Sequence, residues 1–359
     1  MSYNRIATCR AYTDWISKSL ASGWITSSQI TTVRTDSGAF ALDSGNIMDL
    51  FDFKPQRYVV VPKEHKEFYI QLDTEVSNDL IGESNFLAIM GHNLHSADAL
   101  FKVQISDQSD MSGDTETVSD ADYSGHDKLI NAAADGSANE WIDPADNGWT
   151  LFTWTDDTSA GNNRYLRITF REDNDAGTNF DADIYLGAIL YGEYFTWPTA
   201  AQVDAKVGAE YDGTTIQKAM GGSEYANSTH FGGPMWAYTP WMFNYTSTTN
   251  IGVASGNPYY YYDSIGRRSL ALNFNYVADT DLFPENVFSD DTSKNIDSAD
   301  IRTQFYNRIL GRHNPVLFSI NDSSTDESDY GIYRLQNDLV ANQIASRTWN
   351  FNLNLREAW

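Results

Sequence analysis

The chain has a single cysteine, Cys9, among 359 residues, so no intrachain disulfide can form and stability has to come from packed cores. Basic residues are also scarce: 24 Lys and Arg stand against 49 Asp and Glu, a net charge of −25. A field of that sign repels DNA, RNA and anionic lipid surfaces, which argues against direct nucleic-acid binding. No apolar run approaches the ~18 residues of a membrane span, so no membrane insertion is expected. The opening Met1-Ser-Tyr-Asn-Arg-Ile6 lacks the apolar core of a signal peptide, and the expectation is a chain made and folded in a cytoplasm. Also missing are a Gly-x-Ser-x-Gly elbow, a phosphate-binding Gly-rich loop, a His-Glu-x-x-His helix and a Cys-x-x-Cys pair. These gaps remove the common signatures of hydrolases, nucleotide enzymes and redox proteins.

What is present reads as β structure. Hydrophobic residues make up 41%, aromatics 14% and charged residues only 20% of the chain, a balance that favours loop-rich sheets over a helical enzyme. The length suits two domains. Residues 1–35 read as an N-terminal arm or packing element with a short helix, Asp14–Leu20, capped by Thr13 and ended near Gly23. Residues 36–196 alternate short apolar segments with turns: Tyr58–Val61, Glu67–Leu72, Phe86–Met90, Leu100–Ile105, Leu151–Trp154, Arg164–Phe170 and Ile184–Tyr191. Strands at that spacing point to a β-sandwich or jelly roll. Within Arg164–Phe170, Leu166, Ile168 and Phe170 share the face expected to be buried, and Tyr165, Arg167 and Thr169 share the other. The polar stretch Ser106–Gly148 reads as a surface excursion with a short helix near Lys128–Ala134.

A boundary falls near Phe195-Thr-Trp-Pro198, and residues 197–359 read as a β-barrel-like domain. Its strands are Ser269–Tyr276, Pro315–Ile320, Gly331–Gln336 and Arg347–Arg356, the last alternating strictly through Trp349, Phe351, Leu353 and Leu355. One helix, Ala299–Leu310, lines up Ile301, Phe305 and Ile309 and stops at Gly311. The fold class expected is therefore all-β, a β-sandwich followed by a barrel-like domain with one helix.

Chemistry is harder to place. Phe86–Leu94, FLAIMGHNL, ends an apolar run at a Gly-His-Asn turn. His92 is either a catalytic histidine at a strand end or the corner of a sandwich, and His95 beside it could supply a second metal ligand. The turn reading is favoured, because Gly91 permits a tight corner and Asn93 can hydrogen-bond it. His65, His126, His230 and His313 are too scattered to define a triad. Asp107, Asp110, Asp114, Glu116, Asp120 and Asp122 offer hard oxygen ligands to calcium but match no loop motif, and Asp173-Asn-Asp-Ala-Gly177 misplaces its glycine for an EF-hand, so solvated loops are expected. No cofactor, metal site or catalytic residue is assigned. The candidate ligand or interface aromatics are Trp141, Trp149, Tyr259, Tyr260, Tyr261 and Tyr262, with Trp236 and Trp241 nearby. Arg267 and Arg268, an isolated basic spot, are the candidates for intersubunit ion pairs.

The segments Phe51-Asp-Phe-Lys-Pro55, Phe68–Asp73, FLAIMGHNL, Arg164–Phe170 and Ile184–Glu193 together resemble the discoidin or galactose-binding-like jelly roll found in tail proteins of tailed bacteriophages, over about residues 36–196. The C-terminal part, with Gly266-Arg-Arg268, Arg308–Arg312, Pro315–Ile320 and the closing Arg356-Glu-Ala-Trp359, is similar to distal-tail and minor-tail proteins whose last strand completes a barrel. The resemblance implies a non-enzymatic virion component of the tail tip or baseplate, a homo-oligomeric ring joining tube, hub or fibre proteins. Two alternatives stay open: a carbohydrate-binding module that recognises host surface glycan, and a polysaccharide-degrading enzyme using paired acids. Arg347–Arg356 is the expected strand for sealing the barrel, and residues 1–35 the expected arm to a neighbouring subunit.

Overall fold

A computed structural model describes residues 6–54, 57–75, 79–120, 128–130, 132–134, 140–144, 148–154, 163–173, 178–210, 214–228, 267–284, 300–326 and 329–358. The chain divides into two compact units. One holds Tyr12–Tyr194 with Thr325–Glu327, and the other holds Met1–Ala11, Phe195–Ser324 and Ser328–Trp359.

The first unit is a β-sandwich. One of its sheets runs β2 (Ile30–Arg34), β4 (Glu67–Asp73), β12 (Tyr165–Glu172), β6 (Ala99–Ser106), β10 (Ile142–Pro144) and β9 (Ala132–Ala134), with β7 (Thr115–Thr117) also paired to β6. The other carries β1 (Arg10–Asp14), β14 (Ala188–Thr196), β5 (Phe86–Met90), β11 (Trp149–Thr153) and β8 (Lys128–Ile130). A separate pair joins β3 (Val59–Val61) to β13 (Ile184–Leu186).

The alternation in the sequence sets the register. Leu166 faces Leu72 and Ile105, Ile168 faces Ile70 and Val103, and Phe170 faces Phe68 and Phe101. All nine of these side chains are buried in one core. Burial of each residue of this size contributes about 1.5–3 kcal/mol. Phe68 and Phe170 stack with centroids 4.9 Å apart. From the opposite sheet come Leu87, Ile89, Phe152, Ile189 and Tyr191. β5 is buried at every position, between β14 and β11, as an apolar run with no polar alternation requires.

Two local expectations are corrected. Lys128–Ala134 is not a helix: Leu129 and Ile130 pair with Phe152 and Leu151 as β8, and Ala132–Ala134 pairs with Ile142–Pro144 as β9. Strand pairing that buries Ile130 outweighs the helix propensity of three alanines. Of the two readings of residues 1–35, an arm or a packing element, the described residues 9–16 fit the second. Every residue of β1 is buried, and Trp15 and Ile16 belong to the sandwich core while Cys9 and Ala11 belong to the core of the second unit. The helix after β1 is α1 (Ile16–Ser22), ended at Gly23 with φ 77° as expected. Its N-cap position is Trp15, and the Ile16 and Ser17 amides are taken by the Asp14 carboxylate, whereas Thr13 sits in β1 and donates its hydroxyl to the Glu193 carbonyl at 2.9 Å. The other α-helices among the described residues, α2 (Asp79–Gly82) and α3 (Asp279–Leu282), are single turns.

In the second unit a sheet runs β15 (Lys206–Glu210), β18 (Arg267–Ala278), β22 (Thr348–Glu357), β20 (Tyr330–Leu335) and β19 (Val316–Ser319). β21 (Ala341–Ala345) is an added strand on β22. Leu270, Leu272, Phe274, Phe351, Leu353 and Leu355 project inward from β18 and β22, and Phe274 stacks on Phe351 at 4.9 Å. Ile301, Phe305 and Ile309 are buried together, but the segment Arg302–Asn307 winds as a π-helix instead of an α-helix. The sheet is open and does not close into a barrel among the described residues. β22 is interior, flanked by β18 on one side and by β20 and β21 on the other, so it does not act as a sealing strand. A detached two-stranded sheet, β16 (Thr214–Lys218) and β17 (Glu224–Ser228), completes the unit.

Candidate functional site

The corner at FLAIMGHNL is structural. Gly91 takes φ 65°, and the chain turns so that His92 points inward, its Nε2 3.2 Å from Thr150 Oγ1 and its Nδ1 3.4 Å from the Leu94 amide. Burial pushes the imidazole down to about 3, which keeps it neutral and removes it from proton transfer near neutral pH. Asn93 ties the corner: its amide donates to the Asp183 carbonyl at 2.9 Å and its oxygen accepts from the Tyr185 amide at 2.7 Å. His95 lies 3.7 Å from Asp143. His65 is buried and accepts from the Ala41 amide, His313 lies in the second unit, and His126 and His230 fall outside the described residues.

Among the described residues no group of three or more His, Cys, Asp or Glu is arranged to hold a metal. Asp107, Asp110, Asp114, Glu116 and Asp120 follow the surface excursion, while Asp122 and most of Asp173–Gly177 lie outside the described residues. A different set of acids does converge. Burial, together with the like charges of Asp173, Glu172, Asp181 and Asp143, raises the Asp98 carboxyl above its ordinary value.

The outward face of the six-strand path carries several cations. Arg167 donates to Gln71 Oε1 at 2.8 and 2.6 Å and to the Ser109 carbonyl at 2.7 Å, with its guanidinium 4.0 Å over the Tyr69 ring. Arg171 and Lys102 lie 4.0 and 5.0 Å from the Trp141 ring. Arg164 grips Asp73 at 2.6 and 2.8 Å. Burial works against the Asp73 carboxylate, but the bonds from Arg164 prevail and hold its pKa low. The arrangement is a set of cation–ring stacks. Trp141, only 6% exposed, is covered by its two cations, and Trp149 is fully buried in β11. Neither offers an open ring face to a sugar or a partner, which corrects the reading of both as platforms. Tyr259, Tyr260, Tyr261, Tyr262, Trp236 and Trp241 lie outside the described residues.

The basic spot is engaged inside its own chain. The Arg268 amide donates to Glu357 Oε2 at 2.9 Å, its side chain lies 3.5 Å from Glu357 Oε1, and its guanidinium also reaches the Tyr330 carbonyl. Arg267 donates to the Glu357 carbonyl at 3.3 Å. Burial raises the Glu357 carboxyl despite the attraction of Arg268. Gly331 makes this possible, because a Cβ there would collide with the Arg268 guanidinium.

The surface that remains is the β16–β17 hairpin. Thr214 pairs with Ser228, Ile216 with Ala226, Gln217 with Tyr225, and Lys218 with Glu224, whose charges meet at 2.8 Å. The tip closes through Ala219 N to the Ser223 carbonyl at 2.8 Å, with Gly222 at φ 84°. Every side chain from Thr215 to Ala226 is exposed, including Ile216 at 63%, Tyr225 at 66% and Met220 at the very tip. Nine of the thirteen large hydrophobic side chains exposed among the described residues belong to this second unit, so its surface is the stickier one. Sequence reasoning registered only a turn-rich stretch here. The usable signal was Thr-Thr-Ile-Gln-Lys and Glu-Tyr-Ala-Asn-Ser on either side of a Gly-Gly pair.

No protein-family profile and no curated protein sequence matches this chain. Among solved structures, CpGH89CBM32-4, produced by Clostridium perfringens, in complex with glcNAc-alpha-1,4-galactose, is similar over 46% of this chain and 90% of that one, at 15% identity and a TM-score of 0.27. At that score the likeness is too slight to carry a ligand or a residue role across.

Proposed function

We propose that this protein is a non-enzymatic structural subunit that assembles with copies of itself, and that its place is the tail tip or baseplate of a phage virion. The observation behind self-assembly is the β16–β17 hairpin, whose apolar side chains Ile216, Met220 and Tyr225 face solvent. An isolated two-stranded hairpin is marginal in water and needs a further surface to pack on. Ile216, Met220 and Tyr225, exposed on one short hairpin, support contact with another chain there. The virion setting, and tube, hub or fibre proteins as further partners, rest on the sequence resemblance. The sugar-recognition alternative loses Trp141 and Trp149 to burial. Light-scattering mass measurement on the purified full-length chain, with electron microscopy of the same sample, is the test. A discrete ring-shaped homo-oligomer is expected, and a monomer at every concentration reached overturns the reading.

A further inference from the structure

We propose that His65 is a pH-operated latch, which holds residues 38–42 against the sandwich core at neutral pH and releases them on acidification. The latch belongs to the first unit alone and stands apart from the assembly reading.

Residues 35–43 run from the end of β2 to the bridge between Ser44 and Val60 without a strand of their own. Backbone bonds fix both ends: the Thr35 amide donates to the Glu67 carbonyl at 3.2 Å and the Asp43 amide to the Val60 carbonyl at 2.9 Å. Between them the Ala41 amide donates to His65 Nε2 at 3.1 Å. His65 comes from the turn Lys63–His65 that leads into β4, and it is buried. Phe40, next to Ala41, meets the imidazole edge-on with centroids 5.1 Å apart and lies 5.7 Å from Phe68, a fully buried residue of β4. Leu42 packs on the same core. One imidazole nitrogen thus holds the middle of a segment whose apolar side chains cover the core.

A neutral imidazole that accepts at Nε2 carries its proton on Nδ1. A second proton goes onto Nε2 and points an N–H at the Ala41 N–H, so the bond becomes a repulsion. Burial pushes the His65 pKa below its ordinary 6.5, as does the Arg34 guanidinium, against the attraction of Asp36. The held form therefore disfavours the proton, and the released form, open to water, takes it at the ordinary value. The hold is complete above about pH 6.5 and weakens as pH falls, by up to about tenfold per unit until the held form protonates as well.

The charged groups around the ring are Arg34 and Asp36 at the end of β2, Asp43 in the segment, Lys63, Glu64 and Lys66 beside His65, Glu67 at the head of β4, and Asp183, which accepts from the Lys63 amide. The hydrogen bond from Arg34 keeps Asp36 below its ordinary 3.8, so it stays charged while His65 titrates. Burial lifts Glu67 above its ordinary 4.5, which makes it the competing titration, but it holds Thr35 through its backbone carbonyl.

The test is hydrogen–deuterium exchange of the full-length protein, read by mass spectrometry over residues 38–42 with labelling times scaled to the intrinsic rate at each pH. Between about pH 7 and about pH 5 the protection of this segment is expected to fall at least about fivefold, while β6 and β12 keep theirs. His65→Gln, with no proton to gain, is expected to show no fall. Unchanged protection in the wild type overturns the latch, and so does a loss shared equally by β6 and β12, which is unfolding of the whole unit. The same fall in a folded His65→Gln assigns the release to a carboxylate such as Glu67 and overturns the role of His65. If that variant does not fold, the wild-type profile decides: a fall that begins below about pH 6.5 supports the histidine, and one that begins only below about pH 4.5 rejects it.

Discussion

Asp14 is a carboxylate placed where water cannot reach it. It accepts from the Ile16, Ser17 and Tyr191 amides at 3.3, 2.9 and 3.0 Å, tying the start of α1 to β14. Burial lifts its pKa from 3.8 to about 6 against the pull of those three donors. Because the folded value lies above the unfolded one, the folded state holds the proton more tightly. The resulting stability is complete below about pH 4 and is lost as pH rises through about 6, a swing on the order of 3 kcal/mol for this shift. Asp14→Asn stays neutral throughout. Denaturant unfolding is expected to show the variant gaining on the wild type by up to that amount between about pH 4 and pH 7, and a pH-independent difference would refute the role. Single residues were the least legible level of the sequence. His92 read correctly as a corner because Gly91 and Asn93 flank it, a local signal. Trp141 and Trp149 misled because burial depends on partners such as Lys102 and Arg171, which alignment of distant strands supplies.

Elements defined by strict alternation were legible: β4, β6, β12 and β22 announce which face is buried, and β5 announces burial on both. Elements whose identity depends on a remote neighbour were not. β8 looks helical until Phe152 and Leu151 are there to pair with it, and Arg302–Asn307 reveals helicity but not its π winding. β1 is the sharpest case, short and polar enough to pass for an arm yet buried at all five positions. A chain beginning at Ile25 would lack β1 and α1, taking Trp15 and Ile16 from one core, Cys9 and Ala11 from the other, and the buried Tyr12 as well. Loss of several buried side chains at ~2–5 kcal/mol each exceeds the whole stability of an ordinary domain. Thermal scans of the truncated chain are therefore expected to show no cooperative transition, and a cooperative melt near that of the full chain would mean that β1 is dispensable.

The whole molecule carries −25 charges, and any assembly of it works against that repulsion. Screening shortens the reach of each charge from about 30 Å at 0.01 M salt to about 8 Å at 0.15 M. The oligomeric fraction measured by sedimentation velocity is thus expected to rise across that range; a fall would mean that opposite charges hold the copies together. The all-β class was legible at this scale from composition and strand spacing, whereas the open sheet in place of a barrel was not, since closure is decided by which edges meet. The buried start of the chain has one more consequence, in time. Ala7 donates to the Ile320 carbonyl at 3.0 Å, and Thr8 accepts from Asp322 at 2.7 Å, partners lying 311 residues beyond Cys9 in the case of Ile320. At ~5–20 residues per second a ribosome needs roughly 15–60 s to make them. The segment that emerges first is among the last to be secured, so throughout synthesis the apolar residues around β1 wait without their final partners.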